Sequence, residues 1–135
     1  ALLIFNNDTY FKSIRLKSRL LSMRNQKIDG ILGIFNSKDP KYSFVEIDND
    51  DKVIRTKEKK VISNFASTGM YIFSKGSDFI KSAEYAIEKN ILIKNEFYIS
   101  ELYNILIKEG KKITVDVADE FVALGTPEDI KKFEA

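Results

Sequence analysis

Leu2-Leu3-Ile4-Phe5-Asn6-Asn7-Asp8-Thr9 is a short, unbroken apolar run that ends in turn-forming residues. Four apolar residues without alternation predict a strand covered on both faces, as in a parallel sheet. Ligands of open α/β sheets bind beyond the carboxyl ends of such strands, so Asp8 stands where a site would be built. A carboxylate there can hold a magnesium-type ion through one oxygen, with phosphates and water completing its shell. The same Asn-Asn-Asp-Thr run also suits an Asx-turn that caps its own backbone.

Moving outward, Gly30–Phe35 reads as a second buried strand and Gly69–Phe73 as another. Between them Tyr42–Asp48, the turn Asp48-Asn49-Asp50-Asp51-Lys52 and Val53-Ile54-Arg55 predict a β-hairpin. Tyr10 to about Gln26 lacks Gly and Pro and predicts a helix. Its wheel is apolar on two sides, with Leu16, Leu20 and Met23 on one and Tyr10, Phe11, Ile14 and Leu21 on the other. Such a helix is either deeply buried or lacks a partner.

Ser77 is expected to cap a second helix, whose core stripe would be Phe79, Ile80, Ala83, Ala86 and Ile87. Ser100 is expected to start a third, ended by Gly110. Lys112–Val117 alternates as a strand, and Phe121–Leu124 is a short apolar segment. Gly125-Thr126-Pro127-Glu128-Asp129 is a helix start with Thr126 as N-cap and Pro127 at the first position. Strands and helices alternate around one inserted hairpin, so the class is α/β.

The 135 residues suit a single domain. Lys and Arg number 22 against 20 Asp and Glu, a balance too even to announce a nucleic-acid partner. The chain has no cysteine and no histidine. Thiolate and imidazole chemistry are therefore excluded, and any metal must be a hard, oxygen-bound ion. No apolar run approaches the roughly 18 residues of a membrane span. Leu2–Phe5 is too short for a signal peptide, so a cytoplasmic protein is the expectation.

Three further stretches carry candidate chemistry. In Thr56-Lys57-Glu58-Lys59-Lys60, a carboxylate beside an ammonium could accept hydrogen bonds from sugar hydroxyls and meet a phosphate. It could equally be a solvated charge run. Lys12, Arg15, Lys17, Arg19, Arg24 and Lys27 occur with no acid among them, but on different sides of the predicted helix. The amides at Gly125-Thr126 could bind an anion, although Glu128 and Asp129 already complement that helix end.

Taken in order, these stretches resemble a known family. The Asn-Asp strand end, the hairpin with Lys57-Glu58-Lys59, Ala66-Ser67-Thr68-Gly69-Met70-Tyr71-Ile72-Phe73, Asn95-Glu96-Phe97-Tyr98-Ile99-Ser100 and Gly125-Thr126-Pro127-Glu128-Asp129-Ile130 follow one another. The pattern is similar to the second half of the sugar-1-phosphate nucleotidylyltransferases, particularly the bacterial capsule and surface-polysaccharide type. It runs from about Leu2 to Phe133.

The resemblance implies a partial Rossmann-like, GT-A-type sandwich with a mixed sheet. It implies transfer of a nucleotidyl group from a nucleoside triphosphate to a sugar 1-phosphate with Mg²⁺. Asp8 would be the metal ligand and a catalytic residue, Glu58 would face sugar hydroxyls, Lys59 the phosphate, and Ser67 the sugar. A sugar-phosphate oxygen is already ionised near neutral pH, so a chain without histidine is compatible with that reaction.

Two departures stand out. Ala123 occupies the place where many members carry a second metal-binding Asp, which Asp119 or Glu120 would have to replace. No Gly-rich nucleotide loop precedes Leu2. The expectation is half of a nucleotidyltransferase domain, inactive alone and prone to self-association through an uncovered sheet edge. The rival readings are a non-catalytic sugar-phosphate-binding module and a GT-A glycosyltransferase, whose usual Asp-x-Asp pair is missing from Asn6-Asn7-Asp8.

Overall fold

The computed structural model covers residues 1–135. In chain order the elements are β1 (Leu2–Phe5), β2 (Thr9–Lys12), α1 (Leu16–Ser22), β3 (Gly30–Asn36), β4 (Ser43–Ile47), β5 (Val53–Glu58) and β6 (Phe65–Phe73). They continue with α2 (Gly76–Glu88), α3 (Ile99–Lys108), β7 (Ile113–Val117), β8 (Glu120–Ala123) and α4 (Pro127–Glu134). The main sheet runs β5-β4-β6-β3-β7, with β1 also paired to β6. Only β3 and β7 are parallel, so the sheet is mixed and the α/β expectation holds.

β6 is the spine, because its side chains alternate between two cores. Tyr71 and Phe73 enter one core with Leu32, Val45, Tyr103, Leu106 and Val115. Met70 and Ile72 enter the other with Met23, Ile28 and Ile31. The first lies under α3, where Tyr103 is fully buried, stacks on Phe73 at 4.8 Å and donates its hydroxyl to Ile72 O at 2.9 Å. Burial pushes the Tyr103 phenol far above its ordinary pKa. The second lies under α1, whose Leu16 and Leu20 pack on it as the predicted stripe requires.

Several expectations are corrected. β1 is antiparallel to β6, and only half covered, with Leu3 and Phe5 exposed. The long helix from Tyr10 is instead strand β2 followed by the short α1. Thr9–Lys12 pairs in register with Ala123–Glu120, forming a separate two-stranded ribbon. Phe11 then stacks on Phe5 at 5.9 Å, and Lys12 pairs with Glu120 at 3.9 Å. Long-range pairing overrides local helix preference here. The second apolar side of that predicted helix therefore dissolves, leaving Ile14 and Leu21 exposed.

α2 starts at Gly76 with Lys75 rather than Ser77 as its N-cap. It is also rotated, burying Asp78, Ser82 and Ala86 while Ile80 and Ile87 stay exposed. Buried Asp78 faces Lys111 at 3.8 Å, and Ser82 donates to the Asp78 carbonyl at 2.7 Å. α3 takes Tyr98 as N-cap, with Ser100 buried in its first turn. The α4 start is as expected, since Thr126 and Asp129 form a reciprocal capping box behind Pro127. No helix is long and apolar enough to cross a membrane.

Candidate active site

The turn after β1 carries Asn6 and Asp8 to the rim of a cavity of about 490 Å³. Gly69 makes this turn possible. Its φ of +87° is a backbone conformation that favours glycine, and a Cβ there would lie 2.5 Å from Asn6 Nδ2. Asn6 N donates to Gly69 O at 3.0 Å, closing the turn onto β6. Thr9 Oγ1 adds a second tie by donating to Thr68 O at 3.2 Å. Across the rim Gly125 leaves room for Asp8, since a Cβ at 125 would stand 3.3 Å from Asp8 Oδ2.

The hairpin supplies the opposite wall. Register pairs Ser43 with Glu58, and the Ser43 hydroxyl donates to Glu58 Oε2. Ser100 Oγ, from the first turn of α3, donates to the same oxygen at 3.1 Å. Glu58 is thus held by hydroxyls from two elements, and its other oxygen remains an acceptor. Ser67 lines the cavity from β6, with Oγ accepting from Gly69 N at 3.0 Å. Tyr71 follows on the same face of β6. Burial pushes its phenol pKa up, opposed by hydrogen bonding to Ser67, with the Glu58 charge adding to the rise.

Asp8, Glu58 and Ser67 therefore share one cavity although they lie 50 and 9 positions apart in the chain. Lys59 is not among the residues that line it. It has a φ of +53° and extends its ammonium over the Tyr98 ring, 5.6 Å from the centroid. The Tyr98 phenol, and behind it Glu96 and Glu58, hold the Lys59 pKa above its ordinary value. Glu96 accepts from the Tyr98 hydroxyl at 2.8 Å and does not reach the cavity.

Sequence reasoning passed over Lys41, Ser43, Tyr71 and Tyr98, all of which line the cavity. Tyr71 was within reach, because strand alternation from Ser67 arrives at it. Counting back from the Asp48–Lys52 turn sets Ser43 against Lys57, and only the register shift between Glu46 and Ile47 brings it opposite Glu58. Lys41 and Tyr98 sit in loops where periodicity carries no signal.

The donor set bears on a metal. No group of three or more acidic residues could cage an ion. Asp119 is committed to Ile14 N at 2.8 Å and Glu120 to Lys12, so neither replaces the carboxylate missing at Ala123. Ala123 and Asp8 both line the cavity. One exposed carboxylate beside room for a phosphate fits magnesium shared with a substrate, and does not fit a calcium-type cage.

The basic residues after Tyr10 form no common face, because Arg19 turns inward to Asp116 at 3.5 Å while Lys12 pairs with Glu120.

The fold is similar to the nucleoside-diphosphate-sugar pyrophosphorylase of Vibrio cholerae RC9, at 28% identity and a TM-score of 0.81, over 98% of this chain and 57% of that one. It is also similar to a Bacillus anthracis protein described as a glucose-1-phosphate thymidylyltransferase, at 20% identity and a TM-score of 0.74, over 96% and 51% of the two chains. The chain spans little more than half the length of either neighbour. No family model and no curated protein matches it. The mixed α/β fold is that of the sugar nucleotidyltransferases.

Proposed function

We propose that the chain forms the sugar-phosphate side of a sugar-1-phosphate nucleotidylyltransferase of the capsule or surface-polysaccharide type, working in the cytoplasm. The observation that carries this reading is the meeting of Asp8, Glu58 and Ser67, from three separate elements, around one cavity. The structural neighbours support the class of reaction.

In the proposed reaction an oxygen of the sugar phosphate bonds to the α-phosphorus of a nucleoside triphosphate. The bond from that phosphorus to pyrophosphate breaks, and its electron pair leaves with pyrophosphate. The attacking oxygen is already ionised, so catalysis reduces to positioning and charge neutralisation. Glu58, fixed by Ser43 and Ser100, accepts hydrogen bonds from sugar hydroxyls, and Ser67 contacts the same sugar. Asp8 holds Mg²⁺, which supplies charge neutralisation when bound. The family resemblance gives the phosphate to Lys59.

The chain spans 57% and 51% of its neighbours, and its motif order resembles the second half of the family, so we assign residues 1–135 to the C-terminal half of such a domain, with the nucleotide loop supplied by a longer polypeptide. The test is to supply a nucleoside triphosphate, Mg²⁺ and sugar 1-phosphates, and to follow both binding and pyrophosphate release. The isolated chain should bind a sugar 1-phosphate and release no pyrophosphate, whereas the longer polypeptide should release it. Turnover by the 135 residues alone would sink the half-domain assignment.

The uncharged β1 edge, with Leu3 and Phe5 exposed beside it, is proposed to drive self-association. Sedimentation should therefore find dimers or larger species at micromolar concentration, and a clean monomer counts against this. A second reading, a sugar-phosphate-binding module without catalysis, is favoured by Ala123, which lines the cavity next to Asp8 where a second carboxylate would be expected. A longer polypeptide that binds sugar phosphate but never releases pyrophosphate would establish it.

A further inference from the structure

β5 lies at the edge of the main sheet and pairs with β4 alone, so the backbone on its outer side needs partners from elsewhere. One side chain meets that need. Asn104 of α3 accepts from Thr56 N at 2.8 Å through Oδ1 and donates to Thr56 O at 3.1 Å through Nδ2, as a neighbouring strand would. The Thr56 hydroxyl in turn donates to Ser100 O at 2.8 Å. Thr56 and Ser100 are each 2% exposed, so the bond between them is sheltered from water.

These three bonds fix the first turns of α3 against β5. Asn104 stands four positions after Ser100, one helical turn along the same face, so both meet the strand together. Glu58 stands two positions after Thr56, on the same side of β5. The Ser100 hydroxyl consequently reaches Glu58 Oε2 at 3.1 Å, where Ser43 donates as well. Of this chain of contacts Ser43 and Glu58 line the cavity, whereas Thr56, Ser100 and Asn104 do not.

Resting on the reading of Glu58 as the acceptor of sugar hydroxyls, we propose that Thr56 is a positioning residue for the sugar. It acts through Ser100, with Asn104 holding its backbone. A glutamate has three rotatable side-chain bonds, and a single donor from Ser43 would leave the carboxylate free to swing. The second donor holds it in one orientation, and that donor stands where it does because Thr56 and Asn104 hold the helix that carries it.

The experiment titrates the chain with the 1-phosphates of α-D-glucose, α-D-galactose and α-D-mannose and with inorganic phosphate, followed by amide chemical shifts. Ser100→Ala should weaken the preferred sugar phosphate about tenfold, the scale of one hydrogen bond to a charged group, and leave inorganic phosphate unchanged. Thr56→Val keeps the shape of the side chain and loses the hydroxyl, and should weaken the same ligand about fivefold. Thr56→Ser should restore binding. In the Ser100→Ala background Thr56→Val should add nothing further, because the route to Glu58 is already cut. Sugar-phosphate affinity in Thr56→Val equal to that of the unaltered chain would overturn the proposal and leave the sugar-phosphate reading intact. Equal loss of sugar phosphate and inorganic phosphate, or additive losses in the double variant, would do the same by giving Thr56 a purely structural role. An unaltered chain that binds none of the three sugar phosphates better than inorganic phosphate would overturn the reading of Glu58 itself.

Discussion

Asp8→Asn should lower nucleotidyl transfer by the longer polypeptide roughly 100-fold or more, the scale on which removal of one charge-stabilising group acts. The substitution keeps size and hydrogen-bonding capacity and removes only the negative charge. The turn should survive it, because Asn6 N to Gly69 O and Leu124 N to the Asp8 backbone carbonyl, at 2.8 Å, hold the backbone without the side chain. In the 135-residue chain the same substitution has a direct readout. Mn²⁺ added with a sugar 1-phosphate should broaden the amide signals of Asn6, Gly69 and Gly125, and Asp8→Asn should abolish that broadening. Equal broadening in the variant would mean that the ion is held elsewhere, and the metal role of Asp8 would fall. An unchanged transfer rate would remove its catalytic role as well.

Much of this cavity was legible in the sequence for a definite reason. Asp8 and Gly125-Thr126 are each adjacent to strong local signals, an apolar strand with a turn and a capped helix. Glu58 and Ser67 gained meaning only from their order along the chain. What periodicity could not supply was tertiary pairing. Thr9–Lys12 looks helical until β8 is set beside it, and then Phe11 and Lys12 become opposite faces of a ribbon. Lys59 illustrates the other limit. Sequence adjacency to Glu58 suggested a shared target; Lys59 lies just past the end of β5 with a φ of +53°, and its ammonium rests over the Tyr98 ring. Lys41 reaches the cavity through a loop seated by Tyr42, Phe35 and Phe121, three residues from three separate segments.

Arg19 is the case in which a residue read as part of a solvated basic stretch becomes structural. It leaves α1 to meet Asp116 on β7, whose side chain is only 2% exposed. Neither Asp116 Oδ1 nor Arg19 Nε has a hydrogen-bond partner, so the charge–charge contact between them is the compensation this buried oxygen has. The surroundings are tight, because Asp116 lies in register with Gly33, where a Cβ would come within 2.3 Å of Thr68 Oγ1. Arg19→Met would remove the guanidinium and leave a buried carboxylate unpaired. Breaking a buried pair in this way costs about 3 kcal/mol, toward the lower end of the usual range because Arg19 is itself 30% exposed. Urea unfolding should show that loss as a lower midpoint with an unchanged slope. Adding Asp116→Val should recover most of it, since an apolar pair removes the stranded charge as well as the bond. A loss below about 1 kcal/mol in Arg19→Met would show that solvent already reaches Asp116 and that the pair is worth no more than a surface one. The effect bears on the site because Thr68, beside this pair, also anchors Thr9 of the ribbon. That ribbon joins the turn bearing Asp8 to the wall bearing Gly125.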